Sequence, residues 1–195
     1  MEDVKAKKSE IRENALARRD ALSRTERAGK SAAIMDRLFD FANFLEAKIV
    51  MFYMHHKSEV QTEEMVRRAL EMGKIVALPF IDAEKGEIVP YKVGDVDQDI
   101  SEGYGGIGEP ILARCKKIPV QHINLSIVPA IALDERGGRL GHGTGFYDRF
   151  IPELDITTRK VALAFECQIV PQIPMEPHDR YIDIIITEDR IVYKI

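Results

Sequence analysis

Leu125-Ser-Ile-Val-Pro-Ala-Ile-Ala-Leu133, followed after three residues by Gly137-Gly-Arg-Leu-Gly-His-Gly-Thr-Gly-Phe-Tyr-Asp-Arg149, is the stretch that decides the fold. An apolar run of strand length enters a glycine-rich turn and leaves through Phe146-Tyr-Asp-Arg-Phe150, which suits the first turn of a helix. Gly141, Gly143 and Gly145 alternate, so three positions carry no Cβ to hold ligand oxygens away from the backbone. Glycine also reaches positive φ, which lets successive N–H groups turn inward as an anion-binding nest. The free N–H groups of a helix start favour a phosphate in the same place. Arg139 and Arg149 add positive charge, and Asp148 offers hard oxygen suited to Mg²⁺.

Neither common phosphate signature is present. No lysine follows Gly145, as a P-loop requires, and the loop lies two-thirds along the chain rather than after a first strand. Three alternating glycines alone suit a surface turn equally well. The flanking arginines, the Tyr-Asp pair and the preceding strand favour a phosphate-gripping loop.

Outward from the loop, helices and strands alternate. Val4, Ile11, Ala15 and Leu22 make the stripe of a first helix, and Ser23-x-x-Glu26 is a capping-box start for a second, with Ala28, Ala32, Met35 and Leu38 or Phe39 facing inward. Lys48–Met54 reads as a strand, Thr62 caps a helix that Gly73 ends, and Lys74–Leu78 is a strand stopped by Pro79. Ile88–Val93 follows a turn at Glu84-Lys85-Gly86, and residues 94–117 read as a long irregular loop. Leu125–Pro129, Val161–Phe165, Ile182–Thr187 and Ile191–Tyr193 complete the strands. The pattern predicts a layered α/β/α domain over residues 1–195, Rossmann-like, around a mostly parallel, mixed sheet, with residues 1–45 as a helical pair packed on the core. Such sheets bind ligands beyond the carboxyl ends of their strands. Those ends present His55–Glu59, Pro79-Phe80, Pro129–Tyr147 and Glu166–Asp179, so motif and architecture indicate one common edge.

The chain has 195 residues, 45% of them hydrophobic and 31% charged, which is ordinary globular material with enough length for a sizeable core. A net charge of −4 argues against a general nucleic-acid surface, although residues 1–30 are net positive. Cys115 and Cys167 lack metal-ligand spacing and suit a reducing cytoplasm. No run approaches the apolar length of a membrane span, and the N-terminus does not read as a secretory signal. Adjacent His55 and His56 would point to opposite faces of a strand, so no shared ion is expected there.

Val128-Pro129, Asp134 and Gly138-Arg-Leu-Gly-x-Gly-x-Gly-Phe-Tyr-Asp-Arg149 together closely resemble the signature of the 5-formyltetrahydrofolate cyclo-ligase family. The resemblance covers nearly the whole chain. Lys8-x-x-Ile-Arg12, Arg18-Arg19-x-x-Leu22-Ser23, Glu59-Val-x-Thr62, Leu78-Pro79, Gly108-Glu-Pro110, Ala164-Phe165-x-x-Gln168, Pro174, His178-Asp179 and Thr187-Glu188 fall in that family's order. It implies an ATP- and Mg²⁺-dependent ligase converting 5-formyltetrahydrofolate to 5,10-methenyltetrahydrofolate, ADP and phosphate through a phosphorylated formyl group. A cytoplasmic monomer or weak homodimer is expected, with small-molecule substrates and neither nucleic acid nor membrane as partner.

By that resemblance, Lys8, Ser9, Glu10, Ile11 and Arg12 approach the ATP phosphates, together with Arg139, Leu140, Gly141, His142, Gly143, Thr144, Gly145, Phe146 and Tyr147. Lys8, Arg12 and Arg139 supply catalytic charge. Read without the family, Lys8 and Arg12 are a solvated basic stripe four residues apart. Asp148 and Asp179 are implied metal ligands; otherwise Asp148 complements a helix dipole and Asp179 is a turn residue. Glu59 is implied to accept paired hydrogen bonds from the pterin amino group and ring N–H, with Met54 as an apolar wall and His142 to Phe146 along the substrate. A methionine at a strand end is otherwise ordinary core. Phe146 stands where the family commonly has tyrosine, and His142 and Thr144 replace basic residues sometimes seen between the loop glycines. The competing readings are a paralogue that binds nucleotide or folate without turnover, and a sugar-phosphate or coenzyme A enzyme on a similar scaffold.

Overall fold

The computed structural model describes residues 2–194. Met1 and Ile195, the outer ends of the expected domain, lie outside them. Helix α1 (Glu2–Asp20) turns through Leu22-Ser23 into α2 (Arg24–Asp40). The start of α2 is fixed by the reciprocal cap written in its sequence: the Ser23 hydroxyl accepts from the Glu26 amide at 3.2 Å, and the Glu26 carboxylate accepts from the Ser23 amide at 2.8 Å. Short α3 (Ala42–Glu46) leads into strand β1 (Ile49–Met51). Then come α4 (Glu63–Glu71), β2 (Ile75–Asp82), β3 (Glu87–Val93), α5 (Val96–Asp99), β4 (Ile100–Glu102), β5 (Gly108–Pro110) and β6 (Lys116–Lys117). The last third holds β7 (Leu125–Val128), β8 (Ala132–Leu133), β9 (Arg139–Leu140), α6 (Phe146–Phe150), β10 (Arg159–Leu163), β11 (Ile184–Ile186) and β12 (Ile191–Tyr193).

Eight strands form one sheet in the order β12-β11-β10-β7-β1-β2-β3-β6. The five from β11 to β2 are parallel; β12 pairs antiparallel with β11 at one edge, and at the other β3 pairs antiparallel with both β2 and β6. Successive strand residues face opposite sides, so Val50 and Phe52 join one apolar cluster with Ile34, Leu38, Phe44 and Val66. Met51 joins the other with Ala77, Val128 and Phe150. Burial on both faces explains the continuous apolar runs of the central strands. The two covering layers are unequal. One face carries residues of α2, α3 and α4, whereas the other is closed by five-residue α6, the 3-10 turn Ile151–Glu153 and connecting loops. Helix α1 does not pair with α2 on a face. Ala15 packs instead with Ile131, Ala132, Leu140 and Ile173, which sets α1 against the β8–β9 hairpin at the carboxyl edge. Among the described residues no helix is long and apolar enough to cross a membrane.

Three local expectations are corrected. The first strand ends at Met51 rather than Met54, because the Tyr53 carbonyl and the His55 amide are taken by the Thr62 hydroxyl, at 2.6 and 3.0 Å. That same pairing removes Thr62 from its expected duty as a side-chain cap of α4. The second strand runs through Pro79 to Asp82. Pro79 lies opposite Pro90, and two prolines without N–H groups fill a non-hydrogen-bonded pair that leaves the ladder intact. Residues 94–117 hold α5, the β4–β5 hairpin and β6 rather than an irregular loop. Local side-chain bonds build the first of these: Asp95 accepts from the amides of Asp97 and Gln98, and Asp99 from those of Gly94 and Asp95.

Strand β1 has β2 on one side and β7 on the other. The chain therefore leaves β1 and β7 in opposite directions around the sheet, which opens a crevice beyond their carboxyl ends. Residues 52–59 and 129–147 are the segments that emerge there.

Candidate active site

The glycine loop is delivered to that crevice by the β8–β9 hairpin, in which Ile131 donates to the Leu140 carbonyl at 2.7 Å and Leu133 lies opposite Arg139. Leu140 itself is buried core and can offer only its backbone. Gly143 and Gly145 have φ of +90° and +72°, a conformation that side-chain-bearing residues rarely adopt. Gly141 serves differently: its φ is not positive, and a Cβ there would fall 2.7 Å from Arg139 Nη1. Among the described residues, no carbonyl or side chain accepts a hydrogen bond from the amides of residues 141–147. The loop carbonyls, by contrast, are held. Arg12 Nε donates to the Gly141 carbonyl at 2.8 Å, and Arg149 donates to the Thr144 carbonyl at 3.3 Å and to that of Gly86 at 2.9 Å. With the Gly141 and Thr144 carbonyls committed to arginines and the amides uncommitted, the segment is built as an anion nest.

Cations and acids expected at the site do come together, but as partners of one another. Arg139 is buried; its Nη2 lies 3.0 Å from Asp148 Oδ1 and its Nη1 donates to the Pro129 carbonyl at 3.2 Å. Lys8 is also buried and bridges Asp179 at 2.5 Å and Glu176 at 2.6 Å. Burial works against the Lys8 charge, yet the hydrogen bonds and charges of Asp179 and Glu176 outweigh it and hold the ammonium above its usual range. Burial likewise opposes the Asp179 charge, and Lys8 with the Glu176 amide still lowers that carboxyl. The Arg180 amide donates to Asp148 Oδ1 at 3.2 Å, so the Asp179-Arg180 peptide abuts Asp148 and both expected metal acids occupy one corner.

Helix α1 presents these residues selectively. Lys8, Arg12, Ala15 and Arg19 share the face turned to the protein, while Ser9 and Glu10 lie on exposed faces. The Ser9 hydroxyl bonds Glu13, and Glu10 and Ile11 line a surface groove with Lys7, Asn14, Gln172 and Pro174. The structure thus brings Arg12 to the loop and Lys8 to Asp179 and Glu176, and leaves Ser9 and Glu10 outside.

Across the crevice, buried Glu59 accepts from the His56 amide at 2.9 Å, and its second oxygen lies 3.2 Å from His142 Nε2. Met54 is buried beside it in the core. The Tyr147 hydroxyl is shut off from solvent without a hydrogen-bond partner. Burial, opposed by the Arg139 charge and reinforced by that of Glu59, pushes this phenol well above the usual range. Arg139 Nε and Arg19 Nη1 are also buried without acceptors. Buried donors left open in this way are a normal mark of a ligand site. Phe146 keeps ring contacts despite lacking the tyrosine hydroxyl: Tyr104 packs edge-on at 5.8 Å, and the Arg149 guanidinium lies over it at 5.2 Å.

Sequence reasoning missed Glu176, Arg180, Tyr104 and Arg19. Glu176 stands three residues before Asp179, which is a weak signal; the other three come near the site only through tertiary packing.

The family profile described as 5-formyltetrahydrofolate cyclo-ligase family matches residues 4–188. The 5-formyltetrahydrofolate cyclo-ligase of Mus musculus is 26% identical, the alignment covering 95% of this chain and 96% of the mouse protein. The 5-formyltetrahydrofolate cyclo-ligase of Escherichia coli K12 is 25% identical over 89% of this chain and 96% of its own. Among solved structures, Aquifex aeolicus 5,10-methenyltetrahydrofolate synthetase superimposes with a TM-score of 0.85 at 29% identity, covering 96% of this chain and 92% of that one.

Proposed function

The chain belongs to the 5-formyltetrahydrofolate cyclo-ligase family, and we propose that it uses ATP to close 5-formyltetrahydrofolate to 5,10-methenyltetrahydrofolate, releasing ADP and phosphate. The observation that carries this reading is the run of uncommitted amides at 141–147 facing the crevice across which Glu59 sits.

The formyl oxygen attacks the γ-phosphorus of ATP as the bond to ADP breaks, which turns a poor leaving group into a phosphate. Nitrogen 10 then attacks the formyl carbon and gives up its proton; phosphate departs and the five-membered ring is closed. No protein nucleophile is needed, so the residues act by orientation and by matching charge. The amides of residues 141–147 hold the phosphate chain, with Arg12 fixing the loop from its carbonyl side. Before substrates arrive, Arg139 and Lys8 are balanced by Asp148, Asp179 and Glu176; phosphate oxygens offer those two cations new partners. Glu59 takes the pterin amino group and ring N–H, Met54 supplies an apolar wall, and Phe146 supplies a ring surface.

Asp148 and Asp179 fit a hard dication. Asp148 Oδ1 is engaged by Arg139 and Arg180, which leaves its second oxygen; Asp179 Oδ2 is engaged by Lys8 and Glu176, and its Oδ1 faces the exposed His178 ring at 3.5 Å, so Glu176, His178 and Asp179 group their ligand atoms within 4.8 Å. Mg²⁺ held there would neutralise charge on the phosphates. A cytoplasmic setting is part of this reading, supported by two free cysteines, which suit a reducing compartment, and a monomer or weak homodimer is proposed with it.

Mixing the protein with 5-formyltetrahydrofolate, Mg²⁺ and ATP and following methenyl absorbance tests the proposal. Product should accumulate only with ATP present. Folded, metal-replete protein that binds both substrates and forms no product would reject catalysis in favour of a binding role.

A further inference from the structure

We propose that Glu109 is a positioning residue that latches the β4–β5 hairpin over the folate side of the site. This rests on the folate reading above. The hairpin needs a tether because it is a separate two-stranded sheet, with Ser101 opposite Glu109, and takes no place in the eight-stranded ladder. Glu109 provides one. Its Oε1 accepts from the Ile81 amide of β2 at 3.2 Å, and the Tyr104 amide at the hairpin tip also favours its charged form. The tip wraps closely around the carboxylate, since a Cβ at Gly103 would collide with it.

Glu109 is only 6% exposed, and among the described residues no lysine or arginine pairs with its carboxylate. A buried charge without a countercharge is costly unless backbone donors satisfy it, so the two amides are what make this position tenable. Burial pushes the carboxyl upward in pKa, and those amides pull the other way.

What the latch positions is specific. A Cβ at Gly108 would lie 3.3 Å from Met54 Cγ, and one at Gly106 would lie 3.8 Å from the His56 ring. Tyr104 meets the Phe146 ring edge-on. The Met54 and His56 contacts fall on the pterin side, and Tyr104 touches the Phe146 ring, assigned to the folate, rather than the loop amides; Lys8, Arg12 and Asp179 make their own contacts elsewhere. Loosening the hairpin therefore weakens folate binding and spares ATP.

The test uses Glu109→Ala and Glu109→Gln in the full-length protein, with two readouts. Amide hydrogen exchange across residues 100–108 should speed up by about tenfold in Glu109→Ala, as expected for loss of one tethering hydrogen bond. The KM for the reduced folate should rise roughly tenfold while that for ATP stays within about twofold. Glu109→Gln keeps an acceptor oxygen for the Ile81 amide and should restore both readouts. If Glu109→Ala does not fold, Gly103→Ala, whose methyl displaces the carboxylate, should give the same pair of changes. Unchanged exchange at 100–108, or equal rises in both KM values, would overturn the latch. Hydrogen exchange needs no turnover, so a chain that proved inactive would sink the proposed reaction while the latch was still judged by that readout.

Discussion

His142 Nε2 lies 3.2 Å from Glu59 Oε1, so the loop assigned to nucleotide touches the acid assigned to folate. His142 is more than half exposed and Glu59 is buried, which makes histidine the partner able to leave. A pterin pairing with both Glu59 oxygens must displace it. On the proposed assignments the contact would couple the two substrate positions, folate at Glu59 freeing the loop proposed to receive the phosphates.

His142→Ala should tighten reduced-folate binding. A hydrogen bond with so exposed a partner contributes about 0.5–1.5 kcal/mol net, so the expected gain is between about twofold and tenfold in affinity. Equilibrium titration with 5-formyltetrahydrofolate checks it. Weaker binding in the variant would make His142 a direct substrate contact rather than a competitor.

Asp148→Asn should separate charge from geometry. Asparagine keeps an oxygen for Arg139 and the Arg180 amide, so stability should change by less than about 1 kcal/mol. Turnover should fall by at least about a hundredfold, a loss of some 2.7 kcal/mol in barrier terms, with altered Mg²⁺ dependence. Asp148→Ala strips both donors of their acceptor and should cost about 1–3 kcal/mol of stability as well. Wild-type metal dependence in Asp148→Asn would remove this residue from the metal corner.

The Lys8 cluster makes a prediction about pH. Lys8 titrates above its ordinary 10.5 in the folded protein, so its contribution is complete below that pH and is lost as pH rises through the raised value. Asp179 and Glu176 titrate below their ordinary 3.8 and 4.5, so theirs is complete above those values and is lost as pH falls through the depressed ones. The stability difference between wild type and Lys8→Ala, from denaturant unfolding, should stay level from about pH 5 to 10 and shrink outside that window. A difference that drifted across neutral pH would show that other groups dominate.

Gly143→Val isolates the nest from packing. A Cβ at Gly143 meets nothing within 4 Å, so the fold should tolerate it, apart from the strain of φ +90° in an exposed loop. The KM for ATP should rise at least about tenfold because the branched side chain disfavours this φ and crowds the phosphate. A melting temperature near the parent's with an unaltered KM would mean that residue 143 is not near the nucleotide.

Much of this was legible in local patterns. Ser23 and Glu26 announced the start of α2 because both partners of the cap lie within one turn. Gly141-His-Gly-Thr-Gly145 announced a loop with free amides because alternation of glycine is itself a backbone statement. Thr62 misled for the opposite reason: its hydroxyl found the Tyr53 carbonyl nine residues back, a tertiary partner that outcompeted the cap. Pro79 misled because the pairing that tolerates it, with Pro90, is set by a strand eleven residues away. Arg139 and Asp148 were each legible as charged residues suited to a phosphate site, whereas their pairing depends on the glycine loop between β9 and α6 turning back to bring them together. Arg19 and Glu109 were legible only as fragments of the family pattern, and their burial was not, since an arginine and a glutamate read as surface until packing is known.

The most direct measurement is an amide ¹H–¹⁵N titration of the labelled protein with a non-hydrolysable ATP analogue and Mg²⁺. If main-chain N–H groups grip the triphosphate, resonances of Gly141 through Tyr147 shift together and saturate with the nucleotide's Kd. Saturating nucleotide that left those seven amides unmoved while shifting others would contradict the nest.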